Sequence, residues 1–177
     1  MLALHAAIAS YHAKAQIVLV ASDNDCEGLV AAKQKGLATA FVDYKAQPKA
    51  KSEAALATML KQANVDFILL AGFMQVLSAD FVDLFPNQIL NIHPSLLPKY
   101  KGLNTHQRAI DAGDKTHGAS VHIVTAGLDD GPVIEQTSIE ILKDDTAESL
   151  ALRLLPKEHE LYGKVVRHLI TGTLTIS

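Results

Sequence analysis

Phe67-Ile68-Leu69-Leu70-Ala71, followed by Ser78 ahead of Ala79–Leu84 and then by Gln88-Ile89-Leu90-Asn91-Ile92-His93-Pro94, reads as a strand, a capped short helix and a second strand. Both apolar runs are too short for a buried helix, and between them Phe81, Val82 and Leu84 recur near helical spacing behind a serine that can cap. Two strands joined through a helix run parallel, because a hairpin would need only a tight turn. The same reading extends outward. Ile17–Ala21 and Ala38–Val42 have the length of strands, while Leu2–Ala13, Glu27–Lys35 ending at Gly36, and Lys51–Ala63 carry apolar residues at helical spacing. This alternation predicts an α/β fold with a mainly parallel central sheet flanked by helices.

After Gly113 the pattern changes. The runs Ser120–Thr125 and Val133–Ile139 are separated only by a loop, which predicts an antiparallel strand pair at the C-terminal end of the sheet. A capping-box-like start at Asp145-Thr146-Ala147-Glu148 then opens a helix to about Leu169. Pro156 lies inside it, removing one backbone donor. A kink is expected there, with groups near Leu155-Pro156-Lys157-Glu158 freed for a ligand.

With 177 residues, 49% hydrophobic and 20% charged, the chain has the size of one domain with a substantial core. A net charge of −3 without basic runs gives no footprint for nucleic acid, and no apolar stretch approaches the ~20 residues that span a bilayer. The single cysteine, Cys26, cannot form an internal disulfide, and no signal-peptide pattern opens the chain, so a cytoplasmic setting is expected. The acidic neighbours in Asn24-Asp25-Cys26-Glu27 are expected to disfavour the thiolate.

The chemistry concentrates in three stretches: Leu90–Pro98, Gly118-Ala119-Ser120-Val121-His122, and Leu128-Asp129-Asp130-Gly131-Pro132. Asn91 and His93 stand two positions apart at the end of a strand, and so share one side of the sheet. A carboxylate in a later loop can join them. Taken singly, each is ordinary: a satisfied histidine, a turn aspartate. Together they form the set that acyl transfer needs, with Asn91 donating to an oxygen that becomes an oxyanion, His93 passing a proton and Asp129 holding the imidazole charged and oriented. His106 and His122 compete for a supporting role. A zinc site through His93, His122 and Asp129 lacks tight ligand spacing, and no metal is expected.

Ala71-Gly72-Phe73-Met74, Asn91-Ile92-His93-Pro94-Ser95-Leu96-Leu97-Pro98-Lys99-Tyr100, Thr105-His106 and Asp130-Gly131-Pro132-Val133-Ile134 resemble the phosphoribosylglycinamide formyltransferase family over nearly the whole chain. The resemblance implies a Rossmann-like formyltransferase fold. It also implies transfer of the formyl group of 10-formyltetrahydrofolate to the amine of glycinamide ribonucleotide in purine (IMP) synthesis, without a covalent enzyme intermediate. Asn91, His93 and Asp129 would be catalytic. Lys49, Met74, Gln75, Val76, Leu77, Thr125, Ala126, Gly127 and Leu128, with Asn91 and Asp129, would hold the folate. Leu155, Pro156, Lys157 and Glu158 would meet the ribonucleotide, with Glu158 at its ribose hydroxyls. Gln75 stands where many relatives have arginine, and Asp130 replaces a glycine or alanine, so Asp130 competes with Asp129. The partners implied are these two small molecules, with a monomer or homodimer as the assembly. The Leu97–Pro98 peptide bond is expected to be cis, from the resemblance together with the rigidity of the proline loop. Two other readings are a 10-formyltetrahydrofolate hydrolase, against which Pro94 argues, and a folate-binding protein without turnover.

One departure from the family stands out. Relatives begin with a central strand and a glycine-rich loop of the type Gly-x-Gly-Ser-Asn that holds the substrate phosphate at a helix N-terminus, and neither precedes Met1-Leu2-Ala3-Leu4 here. The expectation is a single formyltransferase domain, residues 1–177, N-terminally incomplete, with Met1 an internal methionine of a longer protein. Loss of a central strand would leave unpaired backbone groups at roughly 1–3 kcal/mol each, so a chain of this kind is expected not to fold in the family manner.

Overall fold

The computed structural model describes residues 1–9, 11 and 14–174. Its elements are, in order, α1 (Leu2–Ala9), β1 (Val20–Ser22), α2 (Glu27–Gln34), β2 (Thr39–Phe41), α3 (Lys49–Gln62), β3 (Ile68–Leu70), α4 (Ala79–Asp83), β4 (Ile89–His93), α5 (Thr105–Asp111), β5 (Thr116–Ile123), β6 (Val133–Glu140) and α6 (Ala147–Thr171). Ser10, His12 and Ala13, at the end of the first expected helix, lie outside the described residues.

The β3–α4–β4 unit forms as read, with the Ser78 hydroxyl accepting from Phe81 N and the two strands pairing in parallel. The sheet divides into two ladders. β1 pairs with β2 in parallel, and a four-stranded sheet runs in the order β3-β4-β5-β6. Both pairings at the far end, β4–β5 and β5–β6, are antiparallel, so the parallel character expected of one central sheet is carried by two separate pairs.

Two elements differ from expectation for a physical reason. β5 opens at Thr116 rather than Ser120, because Thr116–Ala119 pairs with β6 beyond the end of β4, where polar residues and a glycine hide the strand pattern. α5, not anticipated, follows Asn104 in a left-handed conformation and buries Thr105 and Ala109. A seven-residue helix with so small an apolar face carries little periodic signal. α6 runs on through Pro156, and its capping box runs from Thr146 to Ser149 rather than from Asp145 to Glu148.

Alternation along β4 sends its side chains into two cores. Leu90 packs with Leu4 and Ile8 of α1 and with Leu154, Leu161 and Val165 of α6, while Ile89 packs with Ala57 and Leu60 of α3 and with Phe81 and Phe85 beside α4. Tyr162 of α6 donates to the Leu90 carbonyl at 3.0 Å, so burial of its ring leaves no unmet hydroxyl. Asn91 and His93 are therefore on the Ile89 side of β4. None of the described helices is long and apolar enough to cross a membrane.

Gly118 shows how tightly the far ladder is built. A Cβ there would lie 2.0 Å from the Thr137 carbonyl oxygen and 2.7 Å from Leu96 Cδ2. Gly118→Ala should lower stability by roughly 1–3 kcal/mol through overpacking. Urea unfolding of the variant checks this, and an unchanged midpoint would show that β5 and β6 part there without cost.

Candidate active site

Antiparallel pairing sets Asn91 opposite His122 and His93 opposite Ser120. All four side chains consequently share one face. His122 Nδ1 lies 3.0 Å from the Ile123 carbonyl. A carbonyl only accepts, so the proton of the neutral ring sits on Nδ1 and Nε2 is an acceptor. Asn91 Nδ2 donates to that nitrogen at 3.2 Å. This fixes the amide orientation, leaving the second Asn91 N–H for another acceptor. Burial pushes the His122 pKa down, favouring the neutral ring this arrangement uses.

The loop between β5 and β6 brings Asp129 to the same place, with Oδ2 3.3 Å from His93 Nδ1 and Oδ1 3.6 Å from His122 Nε2. Asp129 has φ of 46°, a left-handed conformation that costs a non-glycine residue on the order of 1 kcal/mol or more. Its carboxylate is held by Gly102 N at 2.9 Å. The other ring nitrogen of His93, Nε2, faces the Tyr100 carbonyl at 2.9 Å. An oxygen acceptor thus stands beside each ring nitrogen, with the Asp129 charge close to Nδ1 and the Tyr100 carbonyl within hydrogen-bond reach of Nε2. Asp130 turns away and pairs with Lys101 at the surface. The carboxylate that reaches the histidine is thus that of Asp129.

The loop after His93 is tied down from within. The Ser120 hydroxyl donates to Ser95 O at 2.6 Å and accepts from Leu97 N at 3.0 Å and from Gln136 Nε2 at 2.7 Å. Ser95 in turn donates to Lys99 O at 2.6 Å. The Leu97–Pro98 bond is cis, as expected. The Ser120 contacts are not visible in the sequence, because they depend on the β4–β5 and β5–β6 registers.

Behind His93 lie two further imidazoles. His106 and His117 meet edge to face with ring centroids 4.8 Å apart, and the Nε2 atoms of both are buried without a partner. Burial, helped by the neighbouring His106, lowers the His117 pKa to about 4, and burial also lowers that of His106. The unfolded chain binds these protons from its ordinary value of 6.5, so stability is fully present above that pH and is lost as pH falls toward about 4. The unfolding midpoint should therefore drop between these limits, and less steeply in His117→Gln. An identical pH slope in that variant would remove His117 as a source of the effect.

The expected folate residues divide by setting. Met74 and Val76 are exposed on the loop after β3, Leu77 is buried in the α3–α4 core, and Leu128 is exposed beside Asp129. Leu77, Phe73 and Val124 share that core, which holds the two loops together. Thr125 is half-buried, and Ala126 and Gly127 are exposed. Gln75 donates to Asp23 at 3.2 Å. Lys49 pairs with Glu53 at 3.7 Å, and the Glu53 carboxylate also accepts from Ser78 N, so this lysine is tied to the start of α4.

Leu155 and Glu158 line a cavity of about 260 Å³ with Ala71, Gly72 and Ile92, and burial raises the Glu158 pKa. Lys157 pairs instead with Glu160, and Pro156 is exposed on the same helix. Only part of the expected 155–158 stretch therefore faces a cavity. At Cys26 the expectation is reversed. Its thiol pKa is lowered, because the Ser22 hydroxyl and the N–H groups of Leu29 and Gly28 outweigh the Asp25 charge.

The chain is 40% identical over 164 residues to the phosphoribosylglycinamide formyltransferase of Haemophilus influenzae, covering 92% of this chain and 77% of that protein. It is 42% identical over 165 residues to the trifunctional purine biosynthetic protein adenosine-3 of Drosophila melanogaster, where it spans 92% of its own length and 12% of the relative's. Among solved structures, glycinamide ribonucleotide transformylase 1 from Symbiobacterium toebii superposes with a TM-score of 0.92 at 37% identity, over 99% of this chain and 84% of that one. The expectation of a departure from the family fold is thereby corrected. The described elements keep the arrangement of that solved structure, with Leu90 packed in the α1–α6 core and Ile89 in the α3–α4 core. The model of the formyl transferase family matches residues 1–166, and the chain belongs to that family.

Proposed function

We propose that this chain transfers the formyl group of 10-formyltetrahydrofolate to the amine of glycinamide ribonucleotide, in the cytoplasm. One observation carries the reading: Asn91 and His93 share a face of β4, and the Asp129 carboxylate lies 3.3 Å from His93 Nδ1. Amine attack on a formyl carbon puts negative charge on oxygen and positive charge on nitrogen at one tetrahedral centre. The free N–H of Asn91 is the donor for the oxygen. His93, in its imidazolium form beside Asp129, is the proton source for the departing nitrogen. It can hand on the Nε2 proton only by exchanging the Tyr100 carbonyl for a substrate atom. Met74, Val76 and Leu128 offer exposed apolar surface of the kind a flat pterin covers, with Gln75, Lys49, Leu77, Thr125, Ala126 and Gly127 around it. Leu155, Pro156, Lys157 and Glu158 form the ribonucleotide side, Leu155 and Glu158 from within the cavity.

Loss of the formyl group, followed with and without glycinamide ribonucleotide, tests this. Turnover that requires the ribonucleotide is the expected result. Equal turnover in its absence would identify a hydrolase, and no turnover with folate binding retained would identify a binding protein.

A further inference from the structure

We infer that Arg108 of α5 is a positioning residue for the His93–Asp129 pair, acting through the backbone of residues 100–104. That segment touches both members of the pair from outside: the Tyr100 carbonyl faces His93 Nε2 at 2.9 Å, and Gly102 N donates to Asp129 Oδ2 at 2.9 Å. Only its last residue joins regular structure, where the Asn104 carbonyl accepts from Arg108 N at the start of α5. Three of its residues, Tyr100 (φ 55°), Gly102 (φ 79°) and Asn104 (φ 57°), are left-handed, and two of these carry side chains that disfavour that conformation. A path of this kind persists only where something outside it holds it.

Arg108 is placed to do so. Its Nη1 donates to the Lys101 carbonyl at 2.7 Å and to the Leu103 carbonyl at 3.2 Å. Its guanidinium carbon stands 5.3 Å from the centre of the Tyr100 ring. One planar cation thus grips the segment at Tyr100, Lys101 and Leu103, on either side of Gly102. The remaining ties are to side chains: Tyr100 OH donates to Asp114, and Lys101 pairs with Asp130. The Lys101 and Leu103 carbonyls are held by the Arg108 side chain. A lysine offers a single ammonium and no plane to lie on the Tyr100 ring, so it cannot reproduce the grip.

Part of the inference rests on the formyl-transfer reading, so the test has one arm that needs no turnover. In long-range proton–nitrogen spectra of the free protein, the His93 ring signals report its Nε2 and Nδ1 partners directly. In Arg108→Ala these signals should shift or broaden, and the titration midpoint of His93 should move. In the assay, Arg108→Ala should lower kcat about 5–20-fold with KM for the ribonucleotide within about twofold, and should displace the acid limb of the pH–rate profile. Arg108→Lys should recover less than half of the loss. Unchanged His93 signals in Arg108→Ala would overturn the inference whether or not the wild type turns over. So would a fall in kcat that tracks a lowered unfolding midpoint with the pH profile unmoved, or full rescue by lysine. Absence of wild-type turnover with the His93 signals shifted in Arg108→Ala would instead reject the formyl-transfer reading and leave the positioning role standing.

Discussion

Asp129→Asn and His93→Ala should each cut formyl-transfer turnover by roughly 10²–10⁴-fold, the range for a positioned proton-transfer group. The two residues act as one unit. The Asp129 carboxylate lies 3.3 Å from His93 Nδ1, and its charge favours the imidazolium form. An asparagine at 129 keeps the shape and loses the charge, so the ring loses its anionic neighbour at Nδ1. The double variant should be little worse than the worse single variant, because removing either half disables the same step. Steady-state kinetics on the three proteins decides this. Wild-type turnover in either single variant would take that residue out of the mechanism, and multiplicative losses would show that the two act separately.

Asn91→Ala should lower kcat by roughly 10²–10³-fold, the cost of losing one donor to a developing oxyanion. The effect should fall on kcat and leave the KM for folate nearly unmoved, because the oxygen needs the donor most when it is charged. His122 provides the check on orientation. Its Nε2 accepts one Asn91 N–H, so His122→Phe leaves the amide free to turn its oxygen toward the reacting centre. That variant should lose a smaller part of kcat than Asn91→Ala. A loss in KM alone for Asn91→Ala would place the amide in folate binding rather than in the chemical step.

Much of this architecture could be read along the chain. The strand–helix–strand unit at 67–93 is a local pattern, written in five-residue apolar runs and a serine cap, and it forms where it was expected. The period of two also placed Asn91 and His93 on one face. α5 and the first half of β5 escaped because their apolar signal is weak. Thr116, His117 and Gly118 form a strand only because β6 lies alongside, and Thr105–Asp111 forms a helix only where Ala109 finds a core to enter.

By itself, then, the sequence determined the α/β class, the cluster of an amide, an imidazole and a carboxylate, and the family those residues resemble. These follow from periodicity and residue type, which are properties of short windows. The choice of Asp129 over Asp130 rested in the sequence on the resemblance alone, and the tertiary structure supplies its physical ground, a left-handed turn at 129 that sends one carboxylate to His93 and the next to Lys101. Only the tertiary structure showed that His122 orients Asn91 and that Tyr100 and Gly102 meet His93 and Asp129 through backbone groups. The physical reason is the same in each case: hydrogen bonds between distant segments are set by strand register and loop path, and a backbone carbonyl or N–H has the same identity at every position of a sequence.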